Sequence, residues 1–260
     1  MASPEITPAP NSFTVVTWNI LLDKTLTARG LIEPQSERLS SQAATLRDLN
    51  VPLDVVAIQE AHVTDQQHNG QELARLLGMQ AGFWYEHNTS KRTGEYIGMF
   101  GELVENAEVV ELPYDKKLVI TKIGDKAIGN LHLRREDKFI GPKRAEQMRA
   151  VMEALAPYEK AVVVGDDNSL FFQESRRILR DYEFTSAFSS LMPTFPTPRY
   201  RDIFLRPNHT ISNAWVNCLW NAGVRLDIIS ARNLRFGERS RFLGDSDHYG
   251  LYAELVDDAA

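Results

Sequence analysis

One cysteine, Cys218, occurs in the 260 residues. A single thiol cannot form an internal disulfide, and it is too few for a cysteine-built zinc site. We expect Cys218 to be a semi-buried small residue. No apolar run reaches the roughly 20 residues a helix needs to cross a bilayer. Residues 1–12 contain three prolines and no Lys or Arg, and no apolar stretch of the kind a secretory signal requires. Positive charge is scarce overall: 29 Lys and Arg stand against 35 Asp and Glu, a net charge of −6. No bulk basic field is present to hold a long duplex by counterion release alone. Phosphodiester hydrolysis survives this exclusion, because a bound divalent cation supplies positive charge locally. Internal repeats and low-complexity tracts are also missing. We expect residues 1–12 to be a disordered leader, residues 13–260 to form a single domain, and the protein to be soluble and cytoplasmic.

What is present is an ordinary globular composition, 43% hydrophobic and 25% charged, in a chain long enough to bury a sizeable core. Apolar, β-branched runs predict strands at 13–20, 55–58, 96–104, 118–121, 127–133, 161–164, 224–230 and 251–256. Several are continuous, as when both faces of a strand are covered. Helical spacing predicts 37–49 with Ser36 as N-cap, 72–77 ended by Gly78, 142–155 opened by Pro142, and 174–182. This order is neither strict βα alternation nor all-β. It suits an α/β fold of two mixed sheets packed face to face, with helices on the outer faces. The stretch 191–221, with four prolines, reads as a long loop, and loops of that length are usually functional.

Polar residues punctuate the strand ends. Asn19 closes the first predicted strand and Glu60 follows the second. Gly165-Asp166-Asp167-Asn168 follows Val162-Val163-Val164, placing several oxygens at one rim, as hard cations require. Asp227 lies within an apolar run, and a buried carboxylate needs a partner. Asn130 and His132 share one face of a strand by its period of two. Asp247 and His248 precede the last strand. Taken singly, most of these could be turn residues, caps or structural histidines. Together they imply one site assembled from distant segments.

The ordered blocks TWNI, IQE, NLHL, GDDN, RLDII and SDHYGL, spanning residues 17–251, resemble those of the endonuclease/exonuclease/phosphatase superfamily. This group includes pancreatic deoxyribonuclease, apurinic-site endonucleases, deadenylases, neutral sphingomyelinases, inositol polyphosphate phosphatases and tyrosyl-DNA phosphodiesterases. The resemblance implies a four-layered α/β sandwich and a hydrolase of phosphate esters that uses Mg²⁺ or Mn²⁺. It implies metal-site roles for Glu60, Asn19 and Asp247, and catalytic roles for His248, Asp166, Asn168, Asp227 and His132. Asn130 and Arg144 are expected on the substrate side. Gln147 fits beside Arg144, although a solvated helix face explains both equally. Asp167 departs from the pattern, which is apolar at that position; we expect it to point to solvent. Two polar loops are candidates for specificity: residues 86–95, with His87, Lys91 and Arg92, and residues 191–223, with Phe195, Arg199, Tyr200, Arg201, His209, Trp215 and Trp220. Aromatics interleaved with Arg suit base stacking and phosphate contacts, so Trp215 and Trp220 are substrate-binding candidates. The expected substrate is nucleic acid or nucleotide, cleaved by in-line attack of water. The alternatives are a phosphatase or phospholipid-type phosphodiesterase of the same fold, acting on an inositol phosphate or sphingomyelin, and a non-catalytic binding protein. The sequence names no protein partner and no membrane association.

Overall fold

Two βαβ crossovers, one in each half of the chain, set the architecture of the computed structural model. It describes residues 11–21, 35–63, 68–87, 94–134, 142–169, 174–188, 194–195 and 226–257. In the first half, β1 (Ser12–Asn19) and β2 (Val55–His62) run parallel and are joined through α1 (Gln35–Asp48). In the second, β7 (Lys126–His132) and β8 (Lys160–Asp166) run parallel through α3 (Pro142–Leu155). A parallel pair brings both C-terminal strand ends to the same edge. Asn19 therefore ends beside the segment carrying Glu60, and His132 lies in register with Asp166.

Antiparallel strands complete each sheet. The first adds β3 (Phe83–His87), β4 (Glu95–Phe100), β11 (Leu234–Phe242) and β12 (Gly250–Asp257), in the order β11-β12-β1-β2-β4-β3. The second adds β5 (Glu108–Leu112), β6 (Lys116–Ile123), β9 (Thr185–Ser186) and β10 (Asp227–Arg232), in the order β5-β6-β7-β8-β10-β9. The helices α2 (Asn69–Leu76) and α4 (Glu174–Asp181) complete the described elements. Val15, Val55, Ile97, Val119, Ile128, Val162 and Ile229 share a core between the sheets. Leu118, Met148, Val151, Leu155 and Ile178 join the second sheet to α3 and α4. Trp18, Leu39, Leu46, Ile58 and Leu73 join the first sheet to α1 and α2. The result is four layers, α/β/β/α, with strands apolar on both faces as their continuous runs predict.

The eight expected strands and four expected helices all form. The strands that the apolar pattern misses are β3, β5, β9 and β11, and these are the four sheet edges. An edge strand is half solvated and need not be apolar throughout: β5 is interrupted by Glu, β9 has two residues, and β3 is a short aromatic stretch ending in Glu86 and His87. β11, with Arg235, Glu238, Arg239 and Arg241, is the extreme case. Ser36 lies inside α1 rather than ahead of it, so it is not the N-cap. Strand β2 does not stop at Ile58 but continues through a bulge to His62. The stretch 1–10, Cys218, Lys91, Arg92 and most of the 191–223 loop, including Trp215 and Trp220, lie outside the described residues.

One polar link runs through the dry interior. Asn130 of β7 is fully buried. Its amide nitrogen donates to the carbonyls of Ile58 (3.1 Å) and Gly98 (2.8 Å), and its oxygen accepts from Gln59 Nε2 at 2.7 Å. Gln59 Nε2 also donates to Thr17 Oγ1 at 3.1 Å. A side chain of the second sheet thus satisfies backbone of the first, and the amide is consumed in doing so. Asn130 ties the sheets together and does not reach a substrate, which corrects the sequence expectation. Replacing it with Ala would strand several buried polar groups, each costing about 1–3 kcal/mol. Asn130→Ala should lower unfolding stability by about 3 kcal/mol in urea titration; a loss below about 1 kcal/mol would contradict this role.

Candidate active site

The site forms where the two parallel pairs meet across the sandwich. Asn19 bridges them: its Nδ2 donates to Glu60 Oε1 (2.9 Å) on the first sheet and to Asp166 Oδ2 (3.2 Å) on the second. Its oxygen accepts from the Leu21 backbone N–H at 3.0 Å. That N–H can only donate, so it fixes which end of the amide faces the carboxylates. The side chain expected to offer a metal its oxygen instead presents its nitrogen to two acids and holds them together.

Local backbone geometry aims these groups. Glu60 sits in the β2 bulge at φ 58°, which re-aims its side chain. Leu21 (φ 59°) and Asn168 (φ 49°) are also left-handed. Three non-glycine residues in this region at one rim represent stored strain of order 1–3 kcal/mol each. Gly165 adopts φ 125° without such strain, and a Cβ there would lie 2.0 Å from the Leu131 carbonyl oxygen. The glycine lets β8 press against β7 immediately before Asp166.

Two imidazoles converge on Asp166. His248 Nδ1 lies 2.9 and 3.1 Å from the Asp227 carboxylate oxygens, and its Nε2 is 3.8 Å from Asp166 Oδ2. His132 Nδ1 lies 3.0 Å from Glu95 Oε1, and its Nε2 is 3.8 Å from both Glu60 Oε1 and Asp166 Oδ2. Each ring therefore has an acid behind it and turns its Nε2 toward Asp166. Burial opposes the charged form of His248, but Asp227, Asp247 and Asp166 outweigh it and hold its pKa well above the usual histidine value. For His132, burial and Lys116 oppose protonation, but Glu95 and Asp166 prevail and the pKa is raised. Burial lifts Asp166 to about 6; His248 opposes the rise and Asp227 adds to it. Burial lifts Asp247 to about 7, with Glu60 and Asp166 adding repulsion against the pull of His248 and Arg38. Within this cluster Asp166, Asp227, Asp247, His132 and His248 are buried, whereas the Glu60 side chain keeps 22% of its exposure and opens the cluster to solvent.

Side chains that the sequence did not single out hold the rim in place. Arg38 of α1 is buried and donates to the carbonyls of Leu21 (2.7 Å) and Asp245 (2.8 Å). Gln42 donates to the carbonyls of Ile20 (3.2 Å) and Asp245 (3.0 Å). Ser246 Oγ donates to the Asn19 carbonyl at 2.5 Å and accepts from the His248 N–H at 3.2 Å. Thr194 Oγ1 accepts from the N–H groups of Leu226 and Asp227, and its carbonyl accepts from Tyr249 N–H. Glu95, the acid behind His132, opens β4 one residue ahead of the apolar run that predicts the strand. Arg38 and Gln42 looked like ordinary polar positions on a helix, and their buried roles leave no signal in spacing.

The remaining candidates are placed as follows. Asn168 donates its N–H to Asp166 Oδ1 (2.8 Å) and its Nδ2 to the Leu133 carbonyl (3.0 Å). Arg144 and Gln147 do not lie on a solvated face; both are buried. Arg144 Nη1 donates to the Asn168 carbonyl at 2.8 Å, so Arg144 braces the Asn168 turn. Gln147 bonds to Arg134 N–H and the Pro113 carbonyl. Asp167 does not point to solvent: it is fully buried, accepts from Ser169 N–H and from Ser175 Oγ, and fastens the Asp166–Asn168 turn to α4. Phe195 is buried against His248, ring centroids 4.7 Å apart, and so packs the His248 side of the cluster instead of offering an open stacking surface.

No protein-family model matches the sequence, and no curated protein matches it. Solved structures do. An endonuclease/exonuclease/phosphatase family protein from Bacteroides thetaiotaomicron superposes with a TM-score of 0.67 at 18% identity, over 96% of this chain and 99% of that one. The fold is that of the endonuclease/exonuclease/phosphatase superfamily. A mannosyl-6-phosphatase, Bt3783, from the same organism gives 0.64 at 18% identity, over 94% and 99%. The 3′ phosphatase NExo from Neisseria, bound to a product DNA hairpin, gives 0.60 at 15% identity, over 93% and 98%. Within this superfamily fold, the strand rim carrying Asn19, Glu60, His132, Asp166, Asp227 and His248 is the acid- and imidazole-rich pole of the molecule.

The His248–Asp227 pair makes a direct titration prediction. A folded-state pKa above the unfolded value of about 6.5 means the pair stabilises fully below that value and loses its contribution as pH rises through the folded pKa. In EDTA, NMR of the His248 imidazole should show it titrating above the ordinary histidine range. Asp227→Asn should bring its titration down toward the ordinary range, and the stability gap between parent and variant should narrow as pH rises. Identical titration in the two proteins would contradict the pairing.

Proposed function

We propose that this chain is a divalent-metal-dependent phosphodiesterase that cleaves nucleic acid or nucleotides by in-line attack of water. The observation that carries the reading is the convergence of two acid-backed imidazoles on Asp166 beside Glu60. Glu60, His132 and Asp166 offer ligand atoms within 4.8 Å of one another. The mutual repulsion of Glu60, Asp166 and Asp247 makes the cluster favourable to a cation, and its carboxylate oxygens suit a hard one. Glu60, with Asp247 beside it, would hold Mg²⁺ or Mn²⁺, which leaves Asp166 to serve the attacking water. When bound, such an ion neutralises phosphoryl charge and stabilises the leaving oxygen.

The protein's own residues do the rest. Asp227 holds the Nδ1–H of His248, leaving the Nε2–H to be donated to a phosphoryl or leaving oxygen. The Asp227, Asp247 and Asp166 carboxylates, which raise the His248 pKa against its burial, favour keeping that proton on the ring. Asp166, held by Asn19 and by the Asn168 N–H, directs its Oδ2 into the gap between the two imidazoles, where it can orient a water and accept its proton. His132, backed by Glu95, lies on the opposite side of that gap and can contact a second phosphoryl oxygen. Nucleic acid is favoured as the substrate by the likeness to a 3′ phosphatase solved with a product DNA hairpin. A phosphatase acting on a sugar phosphate is the second reading, favoured by the likeness to the mannosyl-6-phosphatase.

A substrate panel separates these. Bis(p-nitrophenyl) phosphate and single-stranded oligonucleotides should be hydrolysed with Mg²⁺ or Mn²⁺ and not in EDTA, and His248→Ala should lower kcat by roughly 10³. Release of inorganic phosphate from monoesters with no diester turnover would select the phosphatase reading. Turnover insensitive to EDTA, or a His248→Ala variant as active as the parent, would overturn the mechanism.

A further inference from the structure

The segment that leaves β7 carries a cation past the site. His132 ends β7, and the ladder continues for one more residue. Leu133 N–H donates to the Asp166 carbonyl at 2.9 Å, and the Leu133 carbonyl accepts from Asn168 Nδ2 at 3.0 Å. Leu133 is fully buried in the core beneath α3 and α4. Neighbouring side chains on an extended strand point to opposite faces. His132 and Arg134, on either side of Leu133, therefore share the face that looks into the site. Two residues of strand advance about 7 Å, so Arg134 lies one step outward from His132 along the same rim.

The backbone at Arg134 is held, although the residue is exposed. Its N–H donates to Gln147 Oε1 at 2.9 Å, and Gln147 Nε2 donates to the Pro113 carbonyl at 2.7 Å. Gln147 is fully buried, and both ends of its amide are used to fasten Arg134 to the β5–β6 turn. Among the described residues the Arg134 guanidinium makes no hydrogen bond, ion pair or ring contact. Arg38 and Arg144, by contrast, are buried and donate to backbone carbonyls. A chain of net charge −6 with an acid-rich cluster repels a polyanion. An exposed cation on a fixed backbone at the approach offsets that repulsion, and a guanidinium fork matches two phosphate oxygens.

We propose that Arg134 is a substrate-binding residue that takes the phosphate next to the scissile one in a nucleic-acid strand, on the His132 side of the site. His132 and His248 serve the scissile phosphate, and Arg134 stands outside them. The proposal rests on the phosphodiesterase reading and adds to it a preference for substrates with a second phosphate.

The test compares an oligonucleotide with a diester that has no second phosphate. Arg134→Gln and Arg134→Lys are assayed with Mg²⁺ on a fluorescein-labelled single-stranded oligonucleotide and on bis(p-nitrophenyl) phosphate. Oligonucleotide binding is followed by anisotropy across a salt series, on the His248→Ala background. Arg180→Gln, at an exposed position of α4, is the charge-matched control for bulk electrostatics. Arg134→Gln should raise the oligonucleotide KM about tenfold with little change in kcat, and should leave turnover of the small diester within about twofold. The slope of log Kd against log salt should fall by about 0.7, the share of one phosphate contact on a single strand. Arg134→Lys should lie between parent and Arg134→Gln, because it keeps the charge and loses the fork. Unchanged KM and slope in Arg134→Gln, or equal changes in Arg180→Gln, would overturn the contact and leave the phosphodiesterase reading standing. An equal loss on bis(p-nitrophenyl) phosphate would overturn it too, moving Arg134 to the scissile phosphate. A slope that falls in the variant of a parent with no diester turnover would support the contact while sinking the phosphodiesterase reading. A parent that binds no oligonucleotide would overturn the contact whatever its catalytic activity.

Discussion

Burying several carboxylates together is the constraint on which the rest of this structure depends. Asp166, Asp227 and Asp247 are almost wholly removed from water, and Glu60 stands at the mouth of the same cluster. Such charges repel one another and lose hydration, so each must be matched by donors or by a cation. The protein supplies part of the match: Asn19 to two of them, His248 to Asp227, and the Asn168 N–H to Asp166. The raised pKa values of Asp166 and Asp247 show that the match is incomplete. A cluster that is costly as folded becomes favourable once an ion binds, and binding energy of this kind is what a metal-assisted esterase uses.

Holding such a cluster requires a rigid frame. Two parallel strand pairs, one per sheet, carry Glu60, Asp166 and His132 to a common rim; antiparallel β10 adds Asp227, and a long-range segment returns with Asp247 and His248. The sheets cannot slide past each other without breaking the Asn130 link or the Asn19 bridge. Buried Arg38 and Gln42 then fasten the His248 turn to the end of β1. The left-handed backbone at Leu21, Glu60 and Asn168 is tolerated because these surroundings over-determine it.

Legibility in the sequence followed burial. Strands covered on both faces announce themselves as apolar runs, and all eight were readable. The four edge strands are not: Glu and Arg interrupt β5 and β11, β9 has two residues, and β3 is a short aromatic stretch ending in Glu86 and His87. The polar residues Asn19, Glu60, Asp166, Asp227 and His248 stood out against that apolar background, so the site could be assembled before its geometry was known. Their partners could not. Glu95 lies at an edge-side strand start, Arg38 and Gln42 sit on a helix that looks amphipathic in the ordinary way, and Asp167 reads as a solvated acid although it is wholly buried. The direction of the Asn19 amide is set by one backbone N–H two residues away, which no pattern of residue types reveals.

The central claim is that the Glu60 cluster is completed by a divalent ion, and calorimetric titration of Mn²⁺ into the EDTA-stripped protein tests it most directly. The account predicts a saturable site in the parent that weakens at least tenfold in Glu60→Gln, a variant of the same shape with one charge fewer. Equal Mn²⁺ binding by the two proteins, or none by the parent, would contradict it.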